Sequence, residues 1–245
     1  MSSYNTFAQF YDSLTENVEY SERTDYILSL YNSAGGKVGN VLDLACGTGS
    51  VALNLTEKGF NVIGLDLSAE MLSVADSKAQ GDVKFVCGDM TDFSFNKRFN
   101  LCVCCLDSIN HLTDLSAVQK CFDCVYNSLE NDGIFIFDVN TVYKHNEVLA
   151  DNTFVFDEED FFLSWDNELE DDGVVRILLD FFVFNGENYD RYSEEFYEKA
   201  YTVDELKSAL SKYEILGIYD EMSENRPKPD SERLYFVCKR KNLNE

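Results

Sequence analysis

The chain has 245 residues, 45% hydrophobic and 14% aromatic, enough apolar side chain for one large α/β domain with an elaboration and too much for a disordered chain or a disulfide-stapled mini-protein. Acids outnumber bases throughout, 20 to 9 in residues 1–150 and 25 to 11 in residues 151–245, leaving a formal charge of −25. That field repels phosphate backbones and anionic membranes, which excludes nucleic acid and lipid headgroups and favours a small neutral or cationic substrate or a protein with a basic patch.

The opening Met1–Asn5 carries neither a basic nor an apolar stretch, and no apolar run approaches the ~18 residues of a membrane span, so a cytoplasmic location is expected. Val41–Ala45 reads as a buried strand, Ser50–Lys58 as a helix, Asn61–Asp66 as a second strand and Ser68–Lys78 as a second helix. Val83–Cys87 and Phe99–Leu106 are further strands, Asp114–Leu129 a helix and Gly133–Val139 an apolar strand. This alternation predicts βαβ units and a parallel sheet with helices on both faces.

After Asn140 the pattern changes. Residues 151–172 hold ten acids and no base, and the run Asp157–Asp160 reads as a solvated loop rather than a lure for a cationic substrate. Val174–Phe184 and Tyr189–Tyr201 read as long strands around Asn185-Gly186, a hairpin signal, so an antiparallel sheet is inserted here. The helix Val203–Leu210 and the strands Tyr213–Tyr219 and Arg233–Lys239 return to the α/β pattern, with Pro227 and Pro229 in the connecting loop. The expected division is a main domain of residues 1–149 and 202–245 and an inserted antiparallel cap of residues 150–201.

Cysteine carries little chemistry here. Cys102, Cys104 and Cys105 lie inside an apolar strand, and Cys121 and Cys124, though spaced C-x-x-C, share a helical apolar period with Val118, Phe122 and Val125. No second Cys/His pair stands at zinc spacing, so buried reduced thiols are expected and no metal site is.

The chemistry concentrates in Val41-Leu-Asp43-Leu-Ala45-Cys46-Gly47-Thr48-Gly49-Ser50, where a buried strand runs into a glycine turn and then a helix. Glycines there let backbone approach a ligand at the carboxyl end of the strand, and a cofactor is expected. By itself Gly47-x-Gly49-x-x-Ala52 also fits the loose dinucleotide fingerprint. Asp66 ends the second strand, where a carboxylate accepts both ribose hydroxyls, and Asp89 follows the third, where one accepts an adenine amine. Each alone is equally a turn or N-cap residue, but in register with the glycine loop they describe an adenosine site. Asp43 separates the ligands: at the mouth of the turn it repels a pyrophosphate and complements a sulfonium.

These residues resemble the class I S-adenosylmethionine-dependent methyltransferases. Asp43–Gly49 is similar to the first motif of that family, Gly64–Leu72 to its second, Gly88-Asp89-Met90 to its third, Phe99–Ser108 to its fourth, and Leu129–Phe135 to the turn into the fifth strand. The resemblance implies a Rossmann-like, doubly wound, mostly parallel sheet of seven strands carrying the inserted antiparallel cap, with S-adenosyl-L-methionine as cofactor and S-adenosyl-L-homocysteine as product. It implies that Ala45, Cys46, Gly47, Thr48 and Gly49 hold the methionine portion, Asp66 the ribose, and Asp89 and Met90 the adenine. Leu67 and Met71 would pack on the adenine, and Leu106 and Asp107 would border the reacting methyl.

The segment Phe7-Ala8-Gln9-Phe10-Tyr11-Asp12 is similar to one that small-molecule members fold over the cofactor, which places Tyr11 near the methionine; equally, Phe7, Phe10 and Tyr11 at helical spacing are core contacts. The Asn/Asp-Pro-Pro-aromatic signature of members that act on nucleic-acid amino groups is missing at Leu106-Asp107-Ser108-Ile109, which looks instead like uncharacterised bacterial small-molecule members. A histidine common in those members is replaced here within Glu194–Tyr197, so no role is borrowed for it.

The implied reaction is in-line methyl transfer to a nitrogen or oxygen of a small molecule, driven chiefly by alignment and desolvation. His111 is the candidate base, Tyr11 and Asp107 orient the acceptor, and Trp165, Arg176, Arg191 and Tyr192 are the candidate substrate contacts on the cap, although the two arginines are at least as well explained by pairing with neighbouring carboxylates. The glycine turn leaves two competitors: an NAD-dependent oxidoreductase, and a methyltransferase-like scaffold that binds a partner without catalysis.

Overall fold

The computed structural model describes residues 4–15, 17–159 and 161–242. Two helices, α1 (Tyr4–Leu14) and α2 (Tyr20–Ser33), precede the alternating region. There follow β1 (Asn40–Leu44), α3 (Ser50–Glu57), β2 (Asn61–Asp66), α4 (Ala69–Ala79), β3 (Lys84–Cys87), β4 (Phe99–Cys104), α5 (Leu115–Ser128) and β5 (Leu129–Asn140). The strands β6 (Thr153–Asp157), β7 (Phe161–Leu169), β8 (Val174–Phe184) and β9 (Tyr189–Lys199) come next, then α6 (Val203–Ala209), β10 (Tyr213–Asp220) and β11 (Arg233–Arg240). Among the described residues no helix is long and apolar enough to cross a membrane.

Seven strands form one sheet in the order β10-β11-β5-β4-β1-β2-β3. β11 runs antiparallel to both of its neighbours, and the other pairings are parallel. Helices cover both faces, which is why the central strands read as unbroken apolar runs. On one face Leu42, Leu44, Cys102, Cys104, Phe135 and Phe137 pack against α5 and α6; on the other Val41, Leu101, Val103, Ile134 and Ile136 pack against α2 and α3. Cys102, Cys104, Cys105, Cys121 and Cys238 are buried free thiols.

The inserted segment is a four-stranded antiparallel meander, β6-β7-β8-β9. Its inner face carries Leu163, Ile177, Leu179 and Phe181, and Phe7, Phe10 and Leu14 of α1 pack on them. Two of these strands were not expected. Phe154, Phe156 and Leu163 alternate with the more exposed Val155, Asp157 and Phe162 at the period of a half-buried strand, Trp165 continues the inner row, and the acids between them occupy the turn and the outer face. Glu158 and Glu159 lie in the β6–β7 turn as a solvated loop should, while Asp160 is outside the described residues. The β8–β9 connection is longer than Asn185-Gly186 alone: four residues separate the strands, and Asn185 Oδ1 accepts from the N–H groups of Glu187 (3.1 Å) and Asn188 (2.9 Å).

The other departure is at β4, which stops at Cys104 although the apolar sequence continues to Leu106. Leu106 (φ 56°) and Asp107 (φ 51°) are both left-handed, a conformation costing roughly 1–3 kcal/mol per non-glycine residue unless its surroundings enforce it.

Candidate active site

The carboxyl ends of β1, β2, β4 and β5 share one edge of the sheet, where open α/β folds bind ligands. At this edge β1 breaks into a tight loop: Ala45 (φ 55°), Gly47 (φ 51°) and Gly49 (φ 80°) are all left-handed, and Gly49 is the N-cap of α3. A side chain on Gly49 would collide with Phe85 at 2.8 Å, whereas one on Gly47 would meet nothing within 4 Å. Gly47 thus faces open space, a cradle that any larger residue would fill.

The crevice beside this loop is lined by Tyr11, Tyr20, Asp43, Cys46, Thr48 and Leu106, among others, and encloses about 40 Å³ because α1 is drawn over it. Two side chains tie the helix down. Thr48 Oγ1 donates to Asp12 Oδ1 at 2.6 Å, and Lys78 of α4 pairs with Asp12 Oδ2 at 2.7 Å. The alternatives for α1 therefore divide residue by residue: Phe7 and Phe10 are packing contacts, and Tyr11 lines the crevice.

Asp43 is 2% exposed and its Oδ2 has no hydrogen-bond partner among the described residues. Burial, then the neighbouring charge of Asp66, push its carboxyl up to about 8. An orphaned carboxyl next to an open glycine cradle is what a cationic ligand satisfies, so these residues fit a sulfonium nucleoside. Asp66 spans the two loops, accepting from the Gly47 N–H at 2.8 Å and the Ser68 N–H at 2.9 Å. Each carboxylate oxygen has a second lone pair, so ribose contact stays available. Leu67, the next residue, is 73% exposed, as a side chain awaiting a flat ring would be; Met71 is buried one turn into α4. Asp89 is exposed and accepts through Oδ1 from the N–H (2.7 Å) and hydroxyl (2.8 Å) of Thr91, the turn-forming role, with Met90 half-buried beside it.

The strained turn after β4 is held from below. The N–H groups of Leu106 (2.9 Å) and Asp107 (3.0 Å) donate to the two oxygens of Asp138, a fully buried carboxylate on β5. Arg233 of β11 pairs with Asp138 and, at 2.6 Å, with Asp107. Burial pushes the Asp107 carboxyl up, but Arg233, Lys144 and His111 outweigh it and hold the group below its usual range. Asp107 is therefore an ionised, occupied carboxylate and a weak base. The Tyr11 phenol is pushed up by burial, then by Tyr20 and Asp107, which keeps it a proton donor.

His111 ends a short 3-10 turn, Ser108–His111, with its ring 5.3 Å from that of Phe196. Nε2 lies 3.7 Å from Glu198 of the cap. Burial moves its pKa down, partly offset by Asp107 and Asp66. The four cap candidates separate by register. Trp165 and Tyr192 belong to the inner face. Arg176 and Arg191 occupy the outer one: Arg176 bonds Glu168 (2.8 Å) and Glu195 (2.9 Å), and Arg191 bonds Asp180 (3.0 and 2.7 Å). A hollow of about 300 Å³ beside Arg176 is likewise on the outer face, away from the crevice.

Asp12, Asp138, Glu194, Glu198 and Arg233 went unread in the sequence. Asp138 alone left a signal there, as the single charge in the apolar run Ile134–Val139.

The comparisons with known proteins agree with this fold. Residues 41–133 match the methyltransferase domain family. YqeM of Bacillus subtilis (strain 168), provisionally named a methyltransferase, is 35% identical over 97% of both chains. A solved S-adenosylmethionine-dependent methyltransferase from Clostridium acetobutylicum is 36% identical, covers 98% of this chain and 99% of its own, and superposes with a TM-score of 0.89. A more distant relative, an N,N-dimethyltransferase of a dTDP-linked amino-dideoxy sugar from Streptomyces fradiae, is 29% identical over 54% of this chain and 52% of its own. The protein belongs to the class I S-adenosylmethionine-dependent methyltransferases. Both competitors drawn from the glycine turn, the oxidoreductase and the non-catalytic scaffold, give way to that membership.

Proposed function

We propose that the protein methylates the nitrogen of a small amine held between the donor crevice and the inner face of the cap, residues 150–201 acting as the substrate cap of a main domain of residues 1–149 and 202–245. The observation that carries this is the composition of the inner face. By strand register it presents Asp190, Tyr192, Glu194, Phe196 and Glu198, while Arg176, Arg191 and Lys199 fall on the opposite face. Three carboxyls and no base offer acceptors to the N–H groups of an amine and no counter-charge to a carboxylate acceptor. The name of the Streptomyces fradiae relative gives that protein an amine acceptor too, on a dTDP-linked sugar.

When bound, S-adenosylmethionine supplies an activated methyl group on a sulfonium. The residues of the chain would do the rest. Asp43 meets positive charge at the loop, Gly47 leaves room for the methionine portion, Asp66 takes the ribose, and Asp89 with Met90, Leu67 and Met71 takes the adenine. Leu106 and Asp107, fixed by Asp138 and Arg233, wall the transfer point, and Tyr11 and His111 flank the acceptor. α1 closes over the pair and excludes water, which strengthens every charge interaction inside.

Incubating the full chain with S-adenosylmethionine and separate panels of amines, phenols and carboxylates tests this. S-adenosylhomocysteine should form with amines; formation with phenols or carboxylates alone would overturn the amine assignment.

A further inference from the structure

Three ionisable side chains from separate stretches of chain meet between the inserted sheet and the turn after β4. Glu198 lies on the inner face of β9, His111 ends the turn after β4, and His145 lies in a π-helical turn, Lys144–Leu149, after β5. Glu198 Oε1 is 3.7 Å from His111 Nε2, and Oε2 is 3.7 Å from His145 Nε2. Glu198 is 5% exposed and His145 is fully buried, with neither ring nitrogen bonded among the described residues. The chain has only two histidines, and one carboxyl group faces both.

We propose that Glu198 is a positioning residue for methyl transfer: its carboxyl bridges the two imidazoles and orients His111 so that the ring nitrogen left free takes the proton shed by the acceptor nitrogen. This rests on the methyl-transfer assignment of the crevice.

The gaps of 3.7 Å are a small rotation short of hydrogen bonds, the looseness common in unliganded sites. His111 is connected to the crevice through a row of rings: Phe196 at 5.3 Å, then Phe7 (6.4 Å from Phe196), then Tyr11 (5.4 Å from Phe7). Imidazole has two distinct nitrogens, and the partner of one decides the protonation of the other. A protonated Glu198 does this cleanly, donating its O–H to His145 and accepting from His111 Nε2–H, which leaves the His111 Nδ1 lone pair free.

The surroundings favour that state. Burial, then Asp107, push Glu198 up to about 8 against the opposing pull of Arg233 and Lys144. Burial pushes His145 down to about 4, and His111 down as well. In the transfer itself the acceptor lone pair forms the new C–N bond, the methyl–sulfur bond breaks with its electron pair remaining on sulfur, and the nitrogen then loses a proton to His111. The resulting imidazolium is met by Asp107 and Glu198.

With two histidines, the whole protein labelled at the imidazole gives two ring signals, assigned with His111→Gln and His145→Gln. They are followed in the absence of donor from about pH 5 to about pH 9. A bridging carboxyl moves both signals together through one inflection at about 8, and Glu198→Gln, which keeps shape and hydrogen-bonding capacity, removes that inflection from both. Signals that titrate independently, or an inflection that survives Glu198→Gln, overturn the proposal. Should Glu198→Gln not fold, His145→Gln decides: the inflection persists at His111 if the carboxyl acts on it, and its loss there overturns the bridge. S-adenosylmethionine binding is measured separately by equilibrium dialysis. Its failure would remove the methyl-transfer assignment and leave the histidine titration standing, so the two failures are distinguishable.

Discussion

Because Asp43 is buried beside Asp66 and keeps its proton up to about 8, donor binding should be linked to proton release. In the free protein roughly a tenth of molecules carry the Asp43 charge at about pH 7, and roughly a hundredth at about pH 6. A sulfonium seated at the glycine loop stabilises the ionised form, so binding expels the proton and apparent affinity follows the ionised fraction of the free protein. From about pH 6 to about pH 7.5 that fraction climbs roughly twentyfold, equivalent to about 1.8 kcal/mol. The window stops there because the amino group of the methionine portion begins to titrate near 7.7. Calorimetry in two buffers of different ionisation heat reads the release directly, about 0.9 proton per donor at about pH 7. Asp43→Asn has no proton to lose, so its affinity should be flat across the window and independent of buffer. A flat wild-type affinity, or a slope retained in Asp43→Asn, would refute the placement of a cation beside this residue.

Asp66→Ala removes the proposed ribose partner and also the acceptor of the Gly47 and Ser68 N–H groups. Donor affinity should fall by about 1.5–3 kcal/mol in calorimetry, together with a lowered Tm; an unchanged affinity puts the ribose elsewhere. Arg233→Met strands the buried Asp138 carboxylate, so urea unfolding should show a loss of about 3–5 kcal/mol, partly recovered by adding Asp138→Asn; a loss below about 1 kcal/mol would refute the pairing as a support of the fold. Burial raises Glu194 from 4.5 to about 7. Between those values the native state holds a proton that the unfolded chain has lost, so stability falls as pH rises through the window and levels off above it, by at most about 3 kcal/mol. Glu194→Gln lacks this decline, and thermal unfolding curves for the two proteins that stay parallel across the window would rule out the buried acid.

The parallel sheet was legible because its strands are covered on both faces and its glycine loop is local: Asp43 to Gly49 is one short stretch whose geometry neighbours dictate. α2 was missed because its buried side mixes Arg23 and Thr24 with Ile27, Leu28 and Tyr31, which blurs the helical period. β6 and β7 were obscured by charge: the acids drew attention from an aromatic alternation that was present. The end of β4 misled for a different reason, since the residues that turn Leu106 and Asp107 left-handed are Asp138 and Arg233, 31 and 126 positions downstream of Asp107. Glu198 had no local signature at all. Acids stand at both parities of β9, and only its pairing with β8 decides that Glu198 faces inward while Glu195 faces out.

Strand β11 lies between β5 and β10, so among the described residues the strand latest in chain order is an interior one. A nascent chain emerging from the ribosome therefore displays every donor-binding motif long before Arg233 arrives to neutralise Asp138. Until that arginine docks, the strained turn following β4 lacks its counter-ion and the sheet lacks its seam. Competence should consequently appear all at once, late in biosynthesis, and fragments trimmed ahead of β11 should retain the signature motifs yet be inert.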